Sequence, residues 1–242
     1  MLSVTVEKIE GFDVGKHPLV IRLMKGIFTS NPPSAKYSGF WDVNVVIVYL
    51  ESLGPNANLS FKQLTLKLTV LLALTSLCRI SELAAIEQSS IAVSNFGVKF
   101  ALSILRKNQK KGPLKSFTLA RLNPESLTCP VACMSAYLIK SFDFRSPVFG
   151  KTLLLGLKAP HKSVGASTVA RWIKEVLTNS GIDVNLFSAH STRGAAASKA
   201  FASGIPVERI LKAGNWATES VFSRHYQRPV VDPEPDGLAI VN

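Results

Sequence analysis

Residues 60–86 read SFKQLTLKLTVLLALTSLCRISELAAI, a stretch that sets two helices either side of a sharp break. Ser60 stands where an N-cap hydroxyl is needed, and Gln63 occupies the reciprocal position of a capping box. Leu64, Leu68, Leu71 and Leu72 recur at helical spacing and define a stripe that must be buried. The apolar run from Val70 to Leu77 is too short, and too closely flanked by charge, to span a membrane. A second helix is expected to start around Arg79 to Ser81 and to carry Glu82, Leu83 and Ile86. Arg79 and Glu82 are then close enough in sequence to share one helical face. Cys78 reads as a core residue.

Downstream the hydrophobic period changes from that of a helix to that of a strand. GVKFALSIL (97–105) and LKSFTLARL (114–122) read as two strands, joined through RKNQKKGPLK (106–115), where Gly112 and Pro113 favour a turn. The result is a hairpin with a basic tip. Thr128 and Pro130 start another helix that runs through Ala136 and Ile139, with proline in the first turn, where its missing N–H costs nothing. Residues 143–165 are rich in glycine and proline and read as loop. Ser167 is placed to cap a helix over TVARWIKEVLTNS, which Gly181 ends. Helical segments follow at HSTRGAAASKAFAS, PVERILKAG and TESVFSRHYQ. Upstream, HPLVIRLMKGIFTS reads as a short helix, Pro32 and Pro33 break it, and WDVNVVIVYLESL resumes a helical pattern. The expected organisation is a partial unit over 1–55, a main domain over 56–228 and a short acidic tail over 229–242. The fold class is mainly α with a small antiparallel β-sheet or hairpin.

The 242 residues are 47% hydrophobic, enough for a core, and carry 28 Lys and Arg against 16 acidic residues, a formal charge of +12. Such an excess points to a polyanionic partner, nucleic acid above all. A basic solubility surface is the plainer reading of charge alone. Cys78, Cys129 and Cys133 form neither a disulfide framework nor a familiar zinc pattern. No signal peptide is read at the N-terminus, and an intracellular compartment that holds DNA is expected.

Six residues carry the chemistry: Arg79, Lys107, His190, Arg193, Trp216 and Tyr226. Attack on a phosphodiester builds negative charge on phosphorus, and fixed cations favour that transition state. Arg79 and Arg193 suit this role because a guanidinium holds phosphate oxygens through paired hydrogen bonds. His190 lies three residues before Arg193 on the same face and can take a proton or bond a phosphate oxygen. Lys107, on the hairpin, can protonate a leaving oxygen. Trp216 can donate its indole N–H. Tyr226 would be the nucleophile, its phenol favoured toward phenolate by neighbouring positive charge. No metal or other cofactor is needed, since arginines supply the charge. Each of these residues alone has an ordinary structural reading, as salt bridge, cap or core; their order and spacing together raise the chemical one.

This set and order, over residues 60–228, resembles the tyrosine recombinase (phage integrase) superfamily. TSLCRISEL corresponds to the family's first arginine motif, which implies Arg79 as a catalytic arginine and Glu82 as its supporting acid. The basic hairpin corresponds to the family's lysine hairpin. RKN places that lysine at Lys107, with Lys110 in reserve. HSTRGAAAS fits the H-x-x-R motif and implies His190 and Arg193, while HYQRP implies Tyr226 as nucleophile. Ser76 stands where the family usually has glycine. Asn215 stands where histidine or tryptophan is usual, so that Trp216 comes one residue late and His225 is an alternative proton-handling group. The resemblance implies a tyrosine recombinase catalytic-domain fold, double-stranded DNA as partner, self-association into DNA-bound dimers or tetramers, and no membrane partner. Arg106, Lys110, Lys111, Lys115 and Arg224 are the expected DNA-binding cations. HPLVIRLMKGIF, the proline pair, WDVNVVIVYL and LTLKLTVLLALTS look like the recombinases of eukaryotic DIRS-like retrotransposons, which implies a nuclear enzyme and makes 1–55 the end of a DNA-clamping domain. The competing readings are a DNA-binding derivative that no longer cleaves, a type IB topoisomerase-like enzyme, and a basic helical protein without a site.

Overall fold

The structure, a computed structural model, describes residues 6–32, 39–107, 109, 111–146, 148–216, 218–219 and 222–223. It divides into two compact units, Met1–Lys36 and Tyr37–Asn242. The first contains helix α1 (Pro18–Ser30), started by proline in its first turn and capped by the His17 ring, which accepts from the Leu19 N–H at 3.3 Å.

The second unit is built around one helix. After α2 (Val43–Ser52) comes α3 (Phe61–Ser76), and the capping box foreseen at its start is present. Gln63 N–H donates to Ser60 Oγ at 3.2 Å, and Ser60 N–H donates to Gln63 Oε1 at 3.0 Å. Burial of α3 extends well past the expected leucine stripe. Thr65, Leu66, Thr69, Val70 and Ala73 are buried with Leu64, Leu68, Leu71 and Leu72. A helix apolar on every side needs neighbours on every side. It has them in α4 (Ile80–Ala84), α5 (Pro130–Lys140), α6 (Ala166–Asn179) and α7 (Ser191–Ala202). The buried hydroxyls of Thr65, Thr69 and Ser76 each donate to the carbonyl one turn earlier, at 2.6–2.7 Å, so no polar atom of theirs is stranded. Lys67 is also fully buried. Its ammonium donates to Gly54 O at 3.0 Å, and burial lowers its pKa.

The sheet is three-stranded, antiparallel and ordered β1 (Ala92–Val93), β2 (Gly97–Ala101), β3 (Ser116–Ala120). The β2–β3 register pairs Val98 with Leu119 and Phe100 with Phe117, whose rings stack at 5.3 Å. Both strands are shorter than the alternation suggested. Leu102 N–H still donates across the hairpin to Lys115 O at 3.1 Å, but here the chain also bonds to the segment after α4, with Glu87 N–H donating to Ala101 O at 2.9 Å and Ser103 N–H to Ala85 O at 2.8 Å. The residues from Ser103 onward therefore form a long loop.

Two further expectations change. Helix α6 starts at Ala166 with Gly165 at its cap and no side-chain cap bond, so Ser167 lies inside the first turn and does not cap it. Residues 40–53, grouped by sequence with the N-terminal part, pack in the second unit, where α2 lies against α6 and α7. Trp41 Nε1 donates to Ser191 Oγ at 2.8 Å, and the Phe40 ring sits where a Cβ on Gly194 would stand. The pair clamps the first turn of α7. Helix α8 (Val207–Gly214) packs on α7 and closes the fold. Among the described residues no helix is long and apolar enough to cross a membrane. The helix expected over TESVFSRHYQ lies largely outside the described residues.

Gly194→Ala should therefore destabilise the fold by about 1–3 kcal/mol through overpacking against Phe40, although alanine is the better helix former. Urea denaturation would measure this, and Phe40→Leu in the same chain should recover part of the loss.

Candidate active site

The break between α3 and α4 points the first candidate residue inward. Leu77 adopts a left-handed conformation, φ 52°, which ends α3 and turns the chain toward Cys78 and Arg79. For a residue with a Cβ this costs roughly 1 kcal/mol, and the burial of Leu77 beside Ala197, Ile210 and Phe222 offsets it. Arg79 is the N-cap of α4. Its backbone N–H donates to Glu82 Oε2 and its Nη1 to Glu82 Oε1, both at 2.8 Å.

Glu82 joins two arginines at the site. Its carboxylate is buried, and besides Arg79 it accepts from Arg106 Nε at 3.0 Å and Arg106 Nη2 at 3.1 Å. Burial alone would raise its pKa, but the hydrogen bonds and charge of Arg106 and Arg79 outweigh that and hold it below the usual carboxylate range. Arg106 also donates to the carbonyls of Ala213 at 3.3 Å and Gly214 at 3.4 Å, and its guanidinium lies 5.4 Å from the Phe117 ring centre. The hairpin loop, the start of α4 and the end of α8 thus meet on one side chain.

Arg193 approaches from α7. It is buried, its Nη2 donates to the same Gly214 carbonyl, and its guanidinium stacks over Trp216 at 4.2 Å from the ring centre. His190 caps α7 one turn earlier and is exposed. Asn215 makes the turn after α8 with φ 56°, and its side-chain amide reaches Lys107 O at 3.4 Å. A Cβ on Gly214 would overlap the Trp216 ring, so glycine is what lets the indole fold back here.

Arg79, Lys107, His190 and Arg193 line one open cleft of about 260 Å³, together with Cys78 and Thr192. Burial pushes the Cys78 thiol up to about 11, so it stays protonated and is no nucleophile near neutral pH. Trp216 stands behind Arg193, with its ring 5.6 Å from that of the fully buried Phe222. Lys111 is exposed and Lys115 half-buried on the hairpin loop, and neither lines the cleft. Lys110, Arg224, His225 and Tyr226 lie outside the described residues. Arg106 corrects the sequence reading. Expected among the cations displayed to DNA, it is 4% exposed and turned inward onto Glu82. The signal was an acid with two arginines at hand. Sequence reasoning also missed Trp41, Phe40 and Gly194, which set the start of α7, and it took Asn215 only as a departure from the family pattern, not for the left-handed turn that brings Trp216 back to Arg193.

Residues 50–230 match the pattern of the phage integrase family, and the chain belongs to that family, also called the tyrosine recombinases. Its mainly helical fold with a three-stranded antiparallel sheet is that of their catalytic domain. Among solved structures it is similar to the XerA recombinase, with TM-score 0.58 and 14% identity over 87% of this chain and 70% of that one. It is also similar to the XerH site-specific recombinase bound to its difH substrate in a pre-cleavage complex, with TM-score 0.59 and 13% identity over 80% of this chain. The aligned part spans 51% of that XerH chain. At these identities the likeness concerns the fold. Comparison with curated proteins gave no match.

Because the folded-state pKa of Glu82 lies below the unfolded one, its ionised form stabilises the fold fully above the ordinary carboxylate pKa of about 4.3. That contribution is lost as pH falls through the lower, folded value. Glu82→Gln should cost about 3 kcal/mol at pH 7, because it leaves two arginines facing a neutral group. Urea denaturation between pH 7 and pH 3 should show the gap between the variant and the unsubstituted chain narrowing only below about pH 4.

Proposed function

We propose that this chain cleaves and rejoins DNA strands as a site-specific recombinase or integrase, through a covalent 3'-phosphotyrosyl intermediate. The observation that carries the reading is the convergence of Arg79, Lys107, His190 and Arg193, drawn from three separate parts of the sequence, on one cleft. The formal charge of +12 fits a DNA partner.

In this mechanism the scissile phosphate lies between Arg79 and Arg193, whose donors stabilise charge on its non-bridging oxygens. Both guanidiniums are held from behind, Arg79 by Glu82 and Arg193 by Gly214 O and the Trp216 ring, so little reorganisation accompanies the reaction. The Tyr226 phenol oxygen attacks phosphorus, and its proton passes to His190. The bond from phosphorus to the 5' oxygen breaks, and that oxygen takes a proton from Lys107. The products are a 3'-phosphotyrosyl strand and a free 5'-hydroxyl. In the reverse sense a second 5'-hydroxyl attacks the phosphotyrosine and the phenol leaves, so strands rejoin without an external energy source. The Tyr226 assignment rests on the HYQRP motif and on its place shortly after Phe222, which is seated against Trp216.

The finer reading is a retrotransposon recombinase of DIRS-like type, working in the nucleus as DNA-bound dimers or tetramers. It is supported by the N-terminal sequence resemblance and the basic charge.

The test uses a pool of nicked duplexes of randomised sequence, incubated with the chain, from which covalent products are recovered on a denaturing gel and sequenced. The expected result is a 3'-linked adduct that Tyr226→Phe abolishes while DNA binding persists. Arg193→Ala should slow adduct formation about 100-fold or more. Absence of any adduct, or one that survives Tyr226→Phe, overturns the reading.

A further inference from the structure

We infer that Arg106 is a positioning residue, which fixes the Lys107 loop against the phosphate cleft by clamping it to Glu82 and to the carbonyls at the end of α8. The inference rests on the recombinase reading above, in which Lys107 protonates the leaving 5' oxygen.

The loop between Leu102 and Ser116 is tied down at its start by Ser103, whose N–H and Oγ both donate to Ala85 O, at 2.8 and 3.0 Å. Among its described residues Arg106 alone is buried, while Leu105 before it and Lys107 after it are exposed. The loop braces itself internally through Gln109, whose backbone N–H donates to Arg106 O at 2.9 Å and whose side chain donates to Pro113 O at 2.7 Å. Beside Lys107 its attachment to the body runs through the Arg106 guanidinium, which meets both Glu82 oxygens in the two-pronged geometry that arginine favours. The remaining contacts go to Ala213 O and Gly214 O. The next residue is Lys107, and its own carbonyl accepts from Asn215, one residue past that same helix end. The position of the lysine main chain is therefore set by a buried ion pair on one side and by the α8 turn on the other.

Gly214 O ties this to the second arginine, since it accepts from Arg106 and Arg193 alike. The leaving-group lysine and the phosphate-binding arginine are thus registered against one backbone atom. A lysine at position 106 would keep the charge but could not reach both carboxylate oxygens and both carbonyls.

A residue that only supports the fold and one that aims Lys107 differ in how they respond to the leaving group. In a duplex carrying a 5'-bridging phosphorothiolate, sulfur replaces the leaving oxygen. The phenol oxygen–phosphorus bond forms, the phosphorus–sulfur bond breaks, and the sulfur departs with its electron pair as a thiolate. Thiols ionise near pH 8.5, so this step needs no proton donor.

The experiment measures adduct rates of the full chain on the duplex selected above and on its phosphorothiolate form, for Lys107→Ala, Arg106→Ala, Arg106→Lys and Arg193→Ala. Lys107→Ala and Arg106→Ala are expected to lose about 100-fold on the ordinary duplex and to return close to the unsubstituted rate on sulfur. Arg106→Lys should show a smaller loss with the same rescue, and it carries the comparison should the alanine variant not fold. Arg193→Ala should stay slow on both. An Arg106 defect of equal size on both duplexes, or no defect at all, overturns the inference, as does a Lys107→Ala defect that persists on sulfur. No adduct from the unsubstituted chain on either duplex removes the recombinase reading itself, a result distinct from these.

Discussion

The Glu82 carboxylate is the constraint on which the site depends. A buried carboxylate is stable only when paired and fully hydrogen-bonded. Here the partners are two arginines from distant parts of the chain and one backbone N–H. Because the acid sits in the first turn of α4, it fixes Arg79 locally. Because it also holds Arg106, it draws in the loop between β2 and β3, and that loop is bonded to the end of α8. A solvated acid at the same point would leave each of these pieces to find its own place.

The rest of the second unit serves to make that point rigid. Helix α3 is enclosed on all sides, so its C-terminal break is fixed relative to α6 and α7. The Phe40–Trp41 clamp sets the first turn of α7, which presents His190 and Arg193. A basic cleft of this kind must hold several like charges close together. It does so by holding the arginines from behind on shared partners, Arg79 and Arg106 on the one Glu82 carboxylate and Arg193 on the Gly214 carbonyl and an indole face.

Much of this was legible in the sequence, for identifiable reasons. The Ser60–Gln63 box, the leucine spacing of α3, proline at the start of α5 and the change of period at the hairpin are local signals, and the structure shows each of them. The motif residues around the cleft could be named because their order is characteristic. What the sequence hid is tertiary. Arg106 sits in a run of basic residues, and nothing local separates the one that turns inward from those that face water. The Phe40–Gly194 contact joins positions far apart in the chain, so residues 40–53 looked like part of the preceding unit. The cap at Gly165 was missed because a serine two positions later satisfies the local pattern equally well.

The seating of Phe222 sets a tether length. Its ring is fully buried beside Trp216, which in turn covers Arg193. A chain of four residues spans at most about 14 Å, even fully extended. Position 226 therefore lies within that reach of position 222, whatever path the chain takes between them. Freeing the chain from this seat would mean pulling an aromatic ring out of an apolar pocket, at a cost of about 2–3 kcal/mol. One phenylalanine thereby sets how far the chain that follows it can travel.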